Sequence, residues 1–93
     1  MRLSEQDIMN AICLLIADRK KIRPDMVKVQ LMWDEDLGFS AEVAAEGREQ
    51  ILIEANMLEA LERYLLTQWN IRAFRSQITL DIDDVEMFAT VEE

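Results

Sequence analysis

Apolar residues follow two different spacings in succession along this chain. After Ser4, a residue type that commonly caps helices, they recur every three or four residues to about position 20, which predicts a helix. Pro24 prevents a helical continuation, because proline disfavours the helical conformation of the residue before it. The period then becomes two, which is typical of a half-buried strand. The inward residues of this strand are Val27, Val29, Leu31 and Trp33.

A turn and a second strand complete the first half of the chain. Residues 34–38 are rich in acids and end in Gly38, which can adopt a positive φ. Residues 39–45 alternate again between apolar and polar, and Gly47 ends that strand. The first half therefore predicts a helix followed by a strand hairpin.

The second half has the same order of spacings. Residues 50–53 predict a strand, and Asn56 with Glu59 three positions later resembles a capping box at the start of a helix. Asn70 suits the left-handed residue that often follows a helix. Residues 78–82 and 87–91 alternate, and two acids between them favour a turn.

The two halves also match in residue identity. When the chain is aligned with itself at a shift of 49 positions, without a gap, eight of the 44 pairs are identical. Together with the matching order of spacings, this predicts an internal repeat of residues 1–46 and 48–93 within a single domain of 93 residues. The identical pairs are Leu3/Leu52, Glu5/Glu54, Ala11/Ala60, Ile22/Ile71, Arg23/Arg72, Leu31/Leu80, Asp34/Asp83 and Phe39/Phe88.

The repeat predicts an α+β fold built from a duplicated (β)αββ unit. We expect a two-layer sandwich, with one mostly antiparallel sheet of five to six strands and both helices on one face. A right-handed crossover would place strand 50–53 parallel to strand 78–82. The repeated apolar pairs predicted to form the core are Ile8/Met57, Ile12/Leu61, Ile16/Leu65, Val29/Ile78, Leu31/Leu80 and Phe39/Phe88.

Composition narrows the class of protein. The chain has no stretch of 18 apolar residues, no signal-peptide pattern and one cysteine, so we expect a cytoplasmic protein without a membrane partner. Its net charge is −9, from 19 acids and 10 bases. Direct binding to nucleic acid is therefore not expected, because phosphates are bound chiefly by basic residues.

The sequence offers little catalytic chemistry. It contains no histidine, the commonest general base and transition-metal ligand, and its two isolated glycines cannot form a phosphate-binding loop. An EF-hand loop starting at Asp34 fails, because its sixth and twelfth positions are Phe39 and Ala45. Cys13 lies in an apolar helix and is expected to be an inert thiol. We expect neither an enzyme, nor a metal, nor a cofactor.

Positions where the halves differ indicate a surface. Cys13 and Leu14 in the first helix align with Glu62 and Arg63 in the second, so the first helix is apolar on all sides. Such a helix is normally covered everywhere. Two coverings remain open, one by a second chain in a homodimer and one within the chain. The residues available for the second covering are Tyr64 and Trp69.

Two further hypotheses concern side chains on the strands. Arg23 with Asp83, and Arg72 with Asp34, are candidate ion pairs between the halves, with a chance match as the alternative. A few apolar residues also lie on the otherwise polar sides of their strands, where they could form an exposed interaction patch. These interface candidates are Met32, Ala44, Leu52 and Phe88.

Three segments carry a family resemblance. Residues 4–13 (SEQDIMNAIC), 27–34 (VKVQLMWD) and 38–42 (GFSAE) resemble the YxcD-like family of small bacterial cytosolic proteins of unknown function. The resemblance extends over almost the whole chain. It implies no catalytic residues.

The sequence thus favours a non-enzymatic module that acts through protein–protein contact, as a homodimer or with another protein. A sensor that binds a small ligand in a cleft between the two halves is the alternative. A polar-lined cleft between the halves would support the second interpretation.

Overall fold

Two α-helices and six strands make up residues 1–92, the part of the chain that the computed structural model describes. Two short 3-10 helices, at Pro24–Met26 and Arg75–Gln77, lie in the connections that follow the two α-helices. In chain order the elements are β1 (Arg2–Leu3), α1 (Glu5–Lys20), β2 (Lys28–Asp34), β3 (Gly38–Ala45), β4 (Arg48–Ile53), α2 (Glu54–Trp69), β5 (Ile78–Ile82) and β6 (Met87–Val91).

Both helices begin and end through local hydrogen bonds. The Ser4 hydroxyl accepts the amide of Asp7 at 3.1 Å, and the Asp7 carboxylate accepts the amide of Ser4 at 3.0 Å, which forms a reciprocal cap on α1. Helix α2 begins at Glu54, two residues before the predicted cap. Asn56 therefore lies in the first turn, where its side chain accepts the amide of Ile53 at 3.1 Å. Asn70 takes the predicted left-handed conformation, with φ 55°.

The strands form two antiparallel sheets, in the orders β2-β3-β4 and β1-β6-β5. The α+β class is confirmed, but the prediction of one sheet of five to six strands is wrong. The expected parallel arrangement of strand 50–53 and strand 78–82 within one sheet is also wrong, because β4 and β5 lie in different sheets, where β4 pairs with β3 and β5 pairs with β6. The turn at Glu46 and Gly47, whose φ angles of 54° and 74° suit a two-residue hairpin, joins β4 to β3.

The first strand of each half pairs with the last strand of the other half. Leu3 in β1 lies opposite Ala89 in β6, and Leu52 in β4 lies opposite Ala41 in β3. These last strands therefore correspond at a spacing of 48 residues and not 49. The shift arises in the hairpin turns, since Asp34 pairs with Gly38 while the amide of Asp83 donates to the carbonyl of Glu86.

This shift corrects one predicted pair. Phe39 lies opposite Trp33 in the first hairpin, and Met87 occupies the matching place opposite Ile82 in the second. The alignment of Phe39 with Phe88 is therefore wrong by one residue, because it ignored the shorter turn. The duplication itself stays a proposal that accounts for the likeness of the halves.

The helices connect the two sheets into one core. Helices α1 and α2 pack against each other, α1 also contacts β1, β2 and β6, and α2 contacts β3, β4 and β5. Three predicted pairs are fully buried, and Ile78 and Leu80 are buried as well. The other predicted core members, Val29, Leu31, Phe39 and Phe88, keep part of their surface in solvent. The fully buried pairs are Ile8/Met57, Ile12/Leu61 and Ile16/Leu65.

Candidate interaction surfaces

Strand β2 is an edge strand with an open side. It pairs with β3 along all seven residues, and no strand of the described chain pairs with its other edge. None of its residues is buried. Trp33 keeps 45% of its surface exposed, although it lies on the same side of the sheet as the buried Ala41 and Val43. The strand has no proline, and charges stand only at its ends, so it lacks the usual protection of an exposed edge.

Strand β5 is the matching edge of the other sheet. Its residues Ile78 and Leu80 are buried, with 4% and 6% of their surface exposed. An acid, Asp81, lies within the strand, and no basic residue occurs between positions 76 and 92. Charge on an edge strand opposes pairing with another strand. Strand β5 is therefore both better covered and better protected than β2.

The outer face of the β2-β3-β4 sheet carries a small apolar patch. Ile51 and Ile53 are 57% and 61% exposed, and Met32 lies in the same cross-strand row as Ile53, with Ser40 between them. Leu52 points the other way and is buried at 5% exposure, so its predicted place in an exposed patch is wrong. The reason is register, because the side chains of a strand alternate between its two faces.

The other two patch candidates lie apart on different sheets. Ala44 is partly buried between Lys28 and Glu49 on the outer face of the β2-β3-β4 sheet. Phe88 is partly buried on the other sheet, where the Arg2 guanidinium lies 3.7 Å from the centre of its ring. This cation–π contact covers Phe88 within the chain. The structure therefore does not bring the four predicted residues into one patch.

The apolar side of α1 is partly covered within the chain. Leu14 is partly buried, and Arg63 of α2 reaches across it to donate to the Leu14 carbonyl at 3.3 Å. Arg63 also forms an ion pair with Asp18 at 2.9 Å. Leu14 and Arg63, which occupy the same position in the two aligned halves, are thus hydrogen-bonded to each other. The long side chain of arginine can shield apolar surface while its charged end stays in water.

Shallow grooves flank this helix contact on both sides. One has a volume of about 260 Å³ and lies between Leu14, Asp18, Pro24 and Arg63. A second, of about 200 Å³, adjoins Cys13 and Tyr64. Both are smaller than typical ligand pockets of about 300–1,000 Å³. Both grooves are lined by apolar and polar side chains from both halves, including Asp18, Arg63 and Gln68.

Cys13 and Tyr64, which line the second groove, favour their neutral forms. Burial raises the pKa of the Cys13 thiol, whose Sγ donates weakly to the Val27 carbonyl at 3.7 Å. Burial also raises the pKa of Tyr64, helped by its hydrogen bond of 3.1 Å to the Asp7 carboxylate. A thiol with a raised pKa has little thiolate, the reactive form. This environment supports the expectation that Cys13 is unreactive.

Neither predicted ion pair forms among the described residues. Arg23 pairs with its neighbour Asp25 at 3.3 Å, and Asp83 pairs with Arg2 at 3.1 Å. Asp34 instead accepts the amides of its own turn. Arg72 has no ion-pair partner within residues 1–92. Arg23 and Asp34 find partners within three residues, which costs little chain entropy. Asp83 instead finds Arg2, which lies 81 positions away in the sequence and is brought near by the pairing of β1 with β6.

Sequence reasoning missed Ile51 and Ile53 as exposed residues. Their alternation with Leu52 signals a two-faced strand but does not indicate which face is covered. The polar partners opposite them gave a usable signal, since Ile51 pairs with Glu42 and Ile53 with Ser40 on β3. A strand face shared with polar neighbours is generally the solvent face.

Residues 1–92 show neither a metal-binding cluster nor a membrane-spanning helix. No group of three or more acidic or cysteine side chains is placed to hold a metal ion in this part of the chain. No described helix has both the length and the apolar character needed to cross a membrane.

Comparison with known proteins supplies a family. Residues 1–85 match the family of proteins of unknown function designated DUF2653. The chain belongs to this family. The expected membership in a family of unknown function is therefore confirmed, while the YxcD-like name stays a prediction. Searches of curated proteins and of solved structures gave no match.

Proposed function

We propose that this DUF2653 protein is a non-enzymatic interaction module that assembles with a second copy of itself through the β2-β3-β4 sheet. The observation that carries the proposal is the open edge of β2. None of the seven residues of β2 is buried, and alternate residues direct their backbone N–H and C=O groups to the open edge, beside partly exposed apolar side chains. Unpaired edges of this kind readily accept another strand.

The internal comparison with β5 strengthens the proposal. Val29 and Leu31 have the same apolar character as Ile78 and Leu80, yet only the β5 pair is buried. Association through β2 would remove more apolar surface from water than association through β5. The acids on and after β5 would also repel a second copy of that strand.

Helix α1 becomes a weaker candidate for the interface. Because Arg63 already covers Leu14 and pairs with Asp18, a partner that docked there would have to displace both contacts. Cys13 and Leu14 are therefore not part of the proposed interface.

The test uses two matched substitutions in the hairpins. Trp33 and Ile82 occupy corresponding positions on β2 and β5, and they are 45% and 42% exposed. Trp33→Lys should shift the protein from dimer to monomer, because a charge on the paired edge would be placed inside the interface. Ile82→Lys should leave the dimer intact. Light scattering coupled to gel filtration, over a range of protein concentrations, measures both.

The comparison of the two variants decides the outcome. If both variants and the unchanged protein are monomeric at high micromolar concentration, the proposal fails. If Ile82→Lys dissociates the dimer and Trp33→Lys does not, self-association occurs through the β1-β6-β5 sheet and the proposal is wrong. Circular dichroism spectra must show that both variants keep the fold.

A small-ligand sensor is the second candidate, favoured by the groove beside Leu14, Asp18 and Arg63. Its charged pair could orient a polar ligand against the apolar side chain. Differential scanning fluorimetry with a library of small metabolites tests it. A hit whose stabilisation disappears in Arg63→Ala would support the groove, and stabilisation that Arg63→Ala does not change would count against it.

A further inference from the structure

We infer that two copies pair antiparallel along β2, with a twofold axis at Leu31, to form a six-stranded sheet. The inference rests on the proposed function and adds the partner strand and its register. Leu31 of one copy lies opposite Leu31 of the other. A residue that lies a given number of positions before Leu31 in one copy is then opposite the residue that lies the same number of positions after Leu31 in the other copy.

This register keeps the two faces of the sheet separate. Val29 lies opposite Trp33 of the second copy, so side chains on the core side of one sheet meet side chains on the core side of the other. Gln30 lies opposite Met32 on the outer face. Directly opposed side chains on a sheet are about 4.5–5.5 Å apart at Cβ. The partly exposed Val29, Leu31 and Trp33 therefore gain apolar neighbours from the second copy.

The charges at the two ends of β2 also become paired. Lys28 begins the strand, Asp34 ends it, and both point to the outer face. In the inferred register each Lys28 lies directly opposite Asp34 of the second copy, so the dimer contains this pair twice. Opposite charges that face each other across strands are favourable.

Both charged groups are available for this pairing. The Lys28 ammonium group is exposed and forms no ion pair among residues 1–92. The Oδ1 atom of Asp34 accepts the amides of Asp36 and Leu37 at 2.7 and 3.2 Å. Its Oδ2 atom has no partner in the described chain, and the turn fixes the position of the carboxylate.

Other registers satisfy fewer of these conditions. A shift of one residue brings core-side residues opposite outer-face residues, which places Lys28 opposite Trp33. A shift of two residues keeps the faces separate, but it leaves Lys28 opposite Met32 or Asp34 opposite Gln30. Only the register centred on Leu31 pairs all seven residues and both sets of charges.

Cysteine cross-linking tests the register directly. In a Cys13→Ser background, Gln30→Cys and Met32→Cys variants are mixed in urea, refolded together and exposed to oxidised glutathione. Their sulfurs should lie opposite each other across the twofold axis, at a spacing that a disulfide can bridge. Most of the mixture should form a covalent heterodimer, several-fold more than either variant forms alone. In a single variant the two cysteines are diagonal, at roughly 7–8 Å.

The control is the corresponding pair on the other edge strand. Thr79→Cys mixed with Asp81→Cys, which flank Leu80 on β5, should give no more cross-linking than the single variants. If the protein is dimeric by light scattering but the Gln30→Cys and Met32→Cys mixture does not cross-link preferentially, the register is wrong and the proposed function stands. If the unchanged protein is monomeric at high micromolar concentration, both are wrong.

Discussion

Strands β2 and β5 each begin a hairpin, and each follows a long helix and a short 3-10 helix. Both carry alternating apolar residues, but β5 has two buried side chains and β2 has none. The residue types do not explain the difference, since Leu31 and Leu80 are the same residue at matching positions. Burial of a strand thus depends on what the rest of the fold places over it, and the less covered strand marks the surface available to a partner.

Strands β2 and β5 also differ in their charged residues, and this difference again favours β2 as the edge that binds a partner. Strand β2 has one base and one acid at opposite ends, so two antiparallel copies attract each other at both ends. Strand β5 and its turn carry Asp81, Asp83 and Asp84 with no nearby base in the sequence. Two copies of β5 would bring acids together. The less covered edge is therefore also the one through which we propose that a second copy binds.

The largest expected difference concerns the stability of the chain. Leu80→Ala should lower the free energy of unfolding by about 2–4 kcal/mol, because it leaves a cavity in the core. Leu31→Ala should cost about 1–2 kcal/mol, since part of that side chain is already in water. Urea unfolding at low protein concentration measures both. Equal losses would show that the two leucines are equally covered in the monomer.

The next effect concerns affinity between copies. Lys28→Glu should raise the dissociation constant of the dimer about 5- to 30-fold, because two opposite-charge pairs become like-charge pairs, a change of about 1–2 kcal/mol in total. Arg48→Glu makes the same change in net charge on the far edge of the same sheet and is the control. Sedimentation velocity can compare them. A similar loss of affinity in both would mean that only the total charge matters.

The smallest expected effect is on the pH dependence of stability, to which Asp83 in the second hairpin contributes. The amides of Glu86 and Val85, and then Arg2, hold the pKa of Asp83 below its ordinary value. The stability that this carboxylate provides is therefore present above the ordinary carboxyl pKa and is lost as the pH falls through the lowered one. Asp83→Asn should flatten the decline in urea midpoint below about pH 4. Its neighbour Asp84→Asn should follow the unchanged protein.

The sequence predicted local structure well because local rules determine it. Ser4, Pro24, Gly38 and Asn70 marked the element ends through capping, ring geometry and positive φ, and these act within a few residues. Helical spacing likewise identified the buried face of each helix. The α+β class followed from the order of these elements.

Sheet assignment and exposure could not be predicted in the same way. The periodicity of β4 was equally compatible with a place beside β5, but β5 lies in the other sheet, and β4 pairs with β3. The face of Leu52 depended on the same pairing. The contact between Arg63 and Leu14 joins residues 49 positions apart, and only the packing of the two helices brings them together.

The mass of the unchanged protein in solution tests the central claim most directly. Sedimentation equilibrium should be measured from low to high micromolar concentration. The account predicts a concentration-dependent rise from the chain mass of 10.9 kDa toward twice that value. A mass that stays at that of one chain throughout the range would contradict it.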